Sequence, residues 1–333
     1  MILVTGGAGY VGAVLVQKLL DQDFKVRVFD KFYFGKKPLL ANSKKIEIVE
    51  GDIRNVPEKI LDGVDAVIHL AGLSNDPTAE FNPEANREIN TVGTVNLAKA
   101  AKKKGVSRFI FASSCSIYDF FNGDDEIRDE DSYVKPTVPY SLSKFNAEEE
   151  LKKLAGDDFC VTILRKGTVF GYSPRMRFDL VVNTMVKDAF LKNTITVVGE
   201  GLHWRPLVDV TDASEAYILA LLASKDAVNG QIFNISLGNF QVNDIAKEVR
   251  GALLKNFSLD VAIEHTPPPR KVRSYRVSNK KAALILKFVP KISIEGSVLE
   301  IASHIKNGDA VDFQNPIYYN IDWMRPIFEK EEK

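Results

Sequence analysis

Residues 2–12 read Ile2-Leu3-Val4-Thr5-Gly6-Gly7-Ala8-Gly9-Tyr10-Val11-Gly12. A short apolar run meets a turn with glycine at 6, 9 and 12. A helical pattern follows over residues 10–21, where Val11, Val14, Leu15 and Leu19 share one face. A turn without Cβ atoms lets a pyrophosphate approach the backbone, and the helix N-terminus offers unpaired N–H groups and a positive dipole. The next strand, residues 25–29, leads into Asp30, eighteen residues past Gly12. A carboxylate there accepts hydrogen bonds from ribose hydroxyls and repels a 2′-phosphate, so the pattern predicts NAD over NADP. Lys31 beside it tempers that preference.

Further strands are expected at Ile46–Glu50 and at residues 66–70, 109–112 and 161–164, with helices over 83–104 and 141–154. Short β-branched runs alternating with helices predict βαβ units, hence an α/β Rossmann fold with a doubly wound parallel sheet. That domain takes in residues 1–170. Beyond Phe170 the rhythm loosens into helices from Leu180 and Val242, a strand at 195–198, a break at 267–269 and a helix at 279–286. Residues 171–333 are read mainly as a smaller substrate-binding domain, with 207–235 rejoining the Rossmann core. The tail, 312–333, is aromatic and then charged, and the sequence leaves its packing open.

Bulk properties narrow the function. The 333 residues are 45% hydrophobic, enough for a sizeable core, and 44 basic residues cancel 44 acidic ones. No global field draws the chain to nucleic acid or an anionic membrane. Two cysteines, Cys115 and Cys160, and four scattered histidines build neither a disulfide framework nor a metal motif. With no leader pattern and no apolar run of membrane-spanning length, the expected setting is the cytoplasm.

Tyr140-Ser141-Leu142-Ser143-Lys144 places a phenol and an ammonium at i and i+4, on one helix face. An ammonium near a phenol is expected to lower its pKa from about 10 toward neutrality, making Tyr140 a general base or acid toward a sugar hydroxyl or ketone. Pro139 suits the helix start. The strand at 109–112 runs into Ser113-Ser114-Cys115-Ser116, beyond the carboxyl end where α/β sheets bind ligands. Ser114 is the expected third member of the catalytic set. Cys115 lacks a base partner, and the acidic loop 124–131 reads as a solvated loop. Asp52 and Ile53, after the third strand, are expected beside the adenine, although Asp52 also suits an ordinary helix cap.

These residues resemble the extended short-chain dehydrogenase/reductases, within them the NAD-dependent nucleotide-sugar epimerase/dehydratase family. Gly51-Asp52-Ile53, His69-Leu70-Ala71-Gly72 and Asn90 add to the glycine turn, Asp30, the serine turn and Tyr140/Lys144. The likeness runs from Met1 to about Lys306. It implies Tyr140 as proton-transfer residue, Lys144 as its electrostatic partner and Ser114 as helper. It implies cofactor contacts from Gly6, Gly9, Tyr10, Val11, Gly12, Leu70, Ala71, Gly72, Asn90, Ser113, Gly167 and Val169. On the substrate side it implies Ser116, Thr168, Arg177, Asp179, Leu180, Thr196 and Val198. Arg205 would hold the nucleotide diphosphate, as a guanidinium fork suits phosphate oxygens, and Arg270 and Arg273 would add a second phosphate contact. It also implies a homodimer through the helices around 90–104 and 141–154.

The chain departs from the family pattern at several points. Ser114-Cys115-Ser116 lacks the Asp-Glu pair of 4,6-dehydratases, which disfavours dehydration. Asp119 and Phe120 follow Tyr118 in place of a glycine. His69-Leu70-Ala71-Gly72 replaces the commoner double alanine. Thr168 stands where many members carry asparagine. The expected activity is C4 epimerisation of a nucleotide-linked hexose through a transient 4-keto sugar. A 4-keto-6-deoxysugar reductase would use the same residues, and a non-catalytic NAD-sensing protein is the reading from another class.

Overall fold

The computed structural model describes residues 1–42, 44–119, 126–268, 273–309 and 312–331. Strands β1 (Ile2–Thr5), β2 (Val26–Asp30), β3 (Ile46–Glu50), β4 (Ala66–His69) and β5 (Arg108–Ser114) open the chain, with helix α1 (Tyr10–Asp21) after β1. Helices α2 (Asp76–Phe81), α3 (Pro83–Arg87) and α4 (Thr94–Lys103) lie between β4 and β5. Short strand β6 (Ile127–Arg128), helix α5 (Pro139–Leu154), and strands β7 (Cys160–Lys166) and β8 (Thr168–Phe170) follow. Next come α6 (Val181–Lys192), β9 (Thr194–Val198), β10 (Trp204–Asp209), α7 (Val210–Leu222), α8 (Lys225–Val228) and β11 (Gln231–Ile235). The rest is β12 (Gly238–Gln241), α9 (Val242–Phe257), β13 (Ala262–Thr266), β14 (Arg276–Val277), α10 (Ile294–Lys306) and α11 (Asn320–Glu331).

Seven strands form one parallel sheet in the order β11-β7-β5-β4-β1-β2-β3. Order reverses at β1, the place where α/β sheets leave a crevice for a ligand. The strands read as near-continuous apolar runs because helices cover both faces. Val4, Val28, Ile68 and Leu164 pack with Leu15 of α1 and Tyr217 of α7 on one side. Leu3, Val67, Phe109 and Val161 pack with Leu97 of α4 and Leu151 of α5 on the other. Fully burying each such side chain contributes about 1.5–3 kcal/mol. A separate cluster holds α6, α9 and α10 together through Val186, Ile245, Val249 and Val298. Strands β8, β10 and β12 form a small mixed sheet beside it, while α7 and β11 return to the large sheet.

The helix expected over 83–104 is interrupted. Residues Glu88–Gly93 form a π-helical turn between α3 and α4. A Cβ at Gly93 would stand 2.9 Å from the Ile53 carbonyl, so glycine permits the close approach to that loop. The extra residue turns the Asn90 side chain inward, where it is fully buried. The pattern over 279–286 likewise ends in a π-helical turn, Ala282–Leu286. The tail is a helix: α11 packs Met324 and Phe328 into the same cluster as Ile53 and Leu73.

Candidate active site

A cavity of about 500 Å³ lies along the carboxyl ends of the sheet strands. Its walls at one end are Gly6, Gly9, Tyr10, Val11 and Gly12, with Asp30, Asp52, Ile53, Leu70, Ala71 and Gly72. The glycines there are required by space. A Cβ on Gly12 would come 2.2 Å from the Gly6 carbonyl oxygen, and one on Gly6, at φ +71°, 2.6 Å from the Ala71 nitrogen. Asp30 accepts the Ala8 N–H at 3.0 Å and the Phe32 N–H at 2.7 Å, which leaves lone pairs for ribose hydroxyls. Cradle and carboxylate together fit a dinucleotide, and they fit its diphosphate and ribose with no further group. Lys31, which tempered the NAD preference, is drawn off: its ammonium pairs with Asp52 at 3.2 Å.

Asp52 lines the cavity, yet its carboxylate is committed elsewhere. It accepts the Arg54 N–H at 2.9 Å and grips the Arg54 guanidinium through both oxygens. Burial opposes its ionisation, but Arg54 and Lys31 outweigh that and hold its pKa down at about 2. Asn90 stands behind the wall, since Leu73 covers it. Its amide accepts the Leu73 N–H at 2.8 Å and donates to the Leu73 carbonyl at 2.9 Å and to Asn86 at 2.7 Å. It therefore positions the Gly72–Leu73 turn. Tyr10 sends its hydroxyl away from the turn to the Gly171 carbonyl at 2.6 Å, tying α1 to the substrate layer. His69 is a clamp between Thr5 at 2.6 Å and Thr94 at 2.8 Å, and burial, with Lys144 nearby, drops its pKa to about 3.

At the other end Ser114, Ser116, Tyr140 and Lys144 line the same cavity, with Gly167, Thr168, Val169, Arg177, Asp179, Leu180, Arg205 and Arg273. Strand β5 delivers Ser114, and α5, begun by Pro139, delivers Tyr140 and Lys144. Ser114 hydrogen-bonds the Tyr140 hydroxyl. The Tyr140 pKa, expected to fall, is instead pushed up to about 12. Burial is the main cause and Asp76 adds to it, against Ser114, Arg177 and Arg273, which pull it down. Lys144 moves down to about 7, through burial first and then repulsion from Lys166, with Glu148 opposing. Ser113 lines the cavity edge while its hydroxyl bonds Glu148, whose carboxylate is locked to Arg165 in a fully buried pair.

Arg205 donates to the Trp204 carbonyl at 2.9 Å and to the Arg273 carbonyl, so it braces the loop that carries Arg273. Arg273 is itself bound to Asp76 and, at 3.1 Å, to Asp119. Two expected substrate contacts lie elsewhere: Thr196 and Val198 are on β9, paired with β13, and Val198 is 38% exposed. Neither lines the cavity. β9 is occupied in joining β13 to the outer layer. Arg270 and Phe120 lie outside the described residues, as do residues 124 and 125 of the 124–131 loop.

Sequence reading missed Asp76, Lys166, Ser74, Arg175 and the α11 residues Asn320, Ile321 and Met324, all in the walls. Lys166 carried a signal, a lysine closing an apolar strand at its carboxyl end. Asp76 had none. Among the described residues no group of three His, Cys, Asp or Glu could hold a metal, and no helix is long and apolar enough to cross a membrane. Cys115 and Cys160 are buried and free.

A glycine cradle at one end of a crevice and a serine–tyrosine–lysine set at the other define a dinucleotide-dependent enzyme on a Rossmann sheet. Comparison with known proteins narrows the class. The model of the "NAD dependent epimerase/dehydratase family" matches residues 2–236. A Methanocaldococcus jannaschii protein named "Putative UDP-glucose 4-epimerase" is 30% identical over 321 residues, 93% of this chain and 99% of that one. UDP-glucuronic acid decarboxylase 1 of Arabidopsis thaliana is 30% identical over 323 residues, 92% of this chain and 70% of that one. UDP-glucose 4-epimerase of Thermotoga maritima, solved with UDP-glucose, shares the fold at TM-score 0.81 and 25% identity, over 92% of this chain and 99% of that one. The chain belongs to the NAD-dependent epimerase/dehydratase family, and its cofactor is NAD.

Proposed function

We propose that the protein epimerises C4 of a neutral nucleotide-linked hexose. The observation that carries this reading is the content of the reacting end. Ser114, Tyr140 and Lys144 are present there, and Asp76, the carboxylate that opposes ionisation of Tyr140, is bound to Arg273. A relay of this kind can move one proton at one hydroxyl. It offers no second acid–base pair to expel a 6-hydroxyl, so dehydration is disfavoured.

The glycine turn Gly6–Gly12 and Asp30 would hold NAD, which would supply reversible hydride acceptance at C4. Tyr140 takes the 4-hydroxyl proton and, once the 4-keto sugar has turned so that hydride can return to its other face, gives the proton back to the C4 oxygen. Ser114 holds the reacting oxygen and the phenol in one hydrogen-bonded chain. Lys144, when protonated, favours phenolate, and the oxidised cofactor's positive ring acts in the same direction against the burial that raises the Tyr140 pKa. Arg205 and Arg273, in the wall of the same end, would hold the diphosphate so that the sugar can turn without leaving.

Several relatives are named UDP-glucuronic acid decarboxylases, and two neighbours were solved with UDP-glucuronic acid. The likeness to UDP-glucose 4-epimerases favours a neutral hexose here, and Asp76, whose charge Arg273 balances, weighs on neither side. The test is proton NMR of UDP-glucose and UDP-glucuronate with purified protein and no added cofactor. A new anomeric signal from UDP-glucose supports the reading. Turnover of UDP-glucuronate alone, or NADH oxidation by a 4-keto-6-deoxysugar nucleotide without epimerisation, overturns it.

A further inference from the structure

The functional reading leaves α11 unexplained. This helix forms part of the cavity wall through Asn320, Ile321 and Met324. Its position along the cavity follows from its partners. The Trp323 indole donates to the Tyr33 carbonyl at 2.6 Å, and its ring stacks on Phe34 at 6.5 Å; both residues follow Asp30. Glu331 accepts the Tyr33 hydroxyl at 3.2 Å and pairs with Arg54 at 3.2 Å, and Arg54 holds Asp52. Tyr33 and Arg54 lie in the loops after β2 and β3, two strands on the far side of β1 from the strand that bears Ser114. That is the end where Asp30 stands, so the stretch of α11 from Trp323 to Glu331 covers the adenosine half.

The N-terminus of the helix is anchored on both layers. Asn320 donates to Ser74 at 2.8 Å and accepts from the Arg175 guanidinium at 2.6 Å, and its own N–H goes to Asp179 at 3.2 Å. Ser74 follows β4, whereas Arg175 and Asp179 belong to the outer layer, so one residue ties the two sides of the cavity together. Met324 is 2% exposed and Phe328 1%. Leaving would therefore strip two core side chains of cover.

We propose that α11 is a cofactor-retaining element: it closes the adenosine end of the cavity and slows the exit of the dinucleotide. The inference rests on the NAD reading above and explains how one cofactor molecule could serve both hydride transfers. A protein that must return the hydride it took needs its reduced cofactor to outstay the keto sugar.

The test is the dissociation rate of NADH from the full chain, followed by displacement with excess NAD and the loss of energy transfer from tryptophan to the nicotinamide. Three altered chains are compared: Asn320→Ala, Ile321→Glu, and a chain ending at Tyr319. Asp322→Ala, on the exposed face of the same helix, is the control. The expected result is at least a tenfold faster release in all three, an unchanged rate in the control, and cofactor-free melting of the two point variants within a few degrees of the parent. If the truncated chain fails to fold, the point variants decide. Unchanged release in both overturns the proposal alone. A full chain that binds no NADH at all overturns the cofactor reading, and the proposal with it.

Discussion

Burial moves the Tyr140 hydroxyl and the Lys144 ammonium in opposite directions, to about 12 and about 7, so both are pressed toward their neutral forms. Tyr140→Phe is expected to lose about 10²–10⁴-fold in kcat, the range for a positioned proton-transfer group, while nucleotide binding persists. Full activity in that variant would remove the mechanism. Lys166 sits in the same wall, its pKa lowered to about 8 chiefly by burial, with its ammonium on the Ser113 carbonyl at 3.2 Å. Removing that like charge in Lys166→Met should raise the Lys144 pKa and carry the kcat plateau to higher pH; a profile that stays in place rejects the coupling. Stability follows the same groups. Between about pH 7 and the ordinary lysine value of 10.5, unfolded chains hold a Lys144 proton that folded chains have lost, so unfolding free energy rises with pH across that window. Lys144→Met should flatten this rise in a melting series from pH 7 to 9.5.

Helix α1 and the glycine turn before it were the most legible element, because space alone dictates their residues. Gly12→Ala would drive a methyl against the Gly6 carbonyl, and overpacking of this kind costs about 1–3 kcal/mol or more. The expected outcome is a lower melting temperature and lost NAD binding, checked by calorimetry and titration. Asp30→Ala should weaken NAD binding more than NADP binding, since Lys31 is held by Asp52; equal losses would refute the ribose role. The parallel sheet was readable from apolar runs, and Ser114, Tyr140 and Lys144 from their places at strand and helix ends. What escaped was set by contacts distant in sequence. The π turn around Asn90 arises from the approach of Gly93 to Ile53. The Asp76–Arg273 pair joins residues 197 apart, and α11 shows no pattern that betrays which surface it will meet. Thr196 and Val198 were misplaced because β9 looks the same whether it faces the cavity or β13.

At the scale of the molecule, the chain runs back and forth between its two layers. It leaves the large sheet after β7, returns with α7 and β11, and reaches back once more with α11. Helices α4 and α5 pack side by side on one face, where Leu142 is 40% exposed and Val92, in the π turn before α4, is 38% exposed. We predict that two copies join through this face. Sedimentation should give twice the mass of 37.1 kDa, and Leu142→Glu should return it to the single-chain value; a monomer in the parent protein ends that expectation.

The wall supplied by α11 also imposes an order on biosynthesis. The phosphate cradle at Gly6–Gly12 leaves the ribosome long before residues 320–331, which are proposed to close over the adenosine end. At roughly 5–20 residues per second the interval is on the order of tens of seconds. A nascent chain can therefore fold its first strands and sample the dinucleotide, yet it can keep one only after residues 320–331 have docked. Retained cofactor then marks a chain whose α11 has docked, and chains broken off before that helix would be left to exchange it freely.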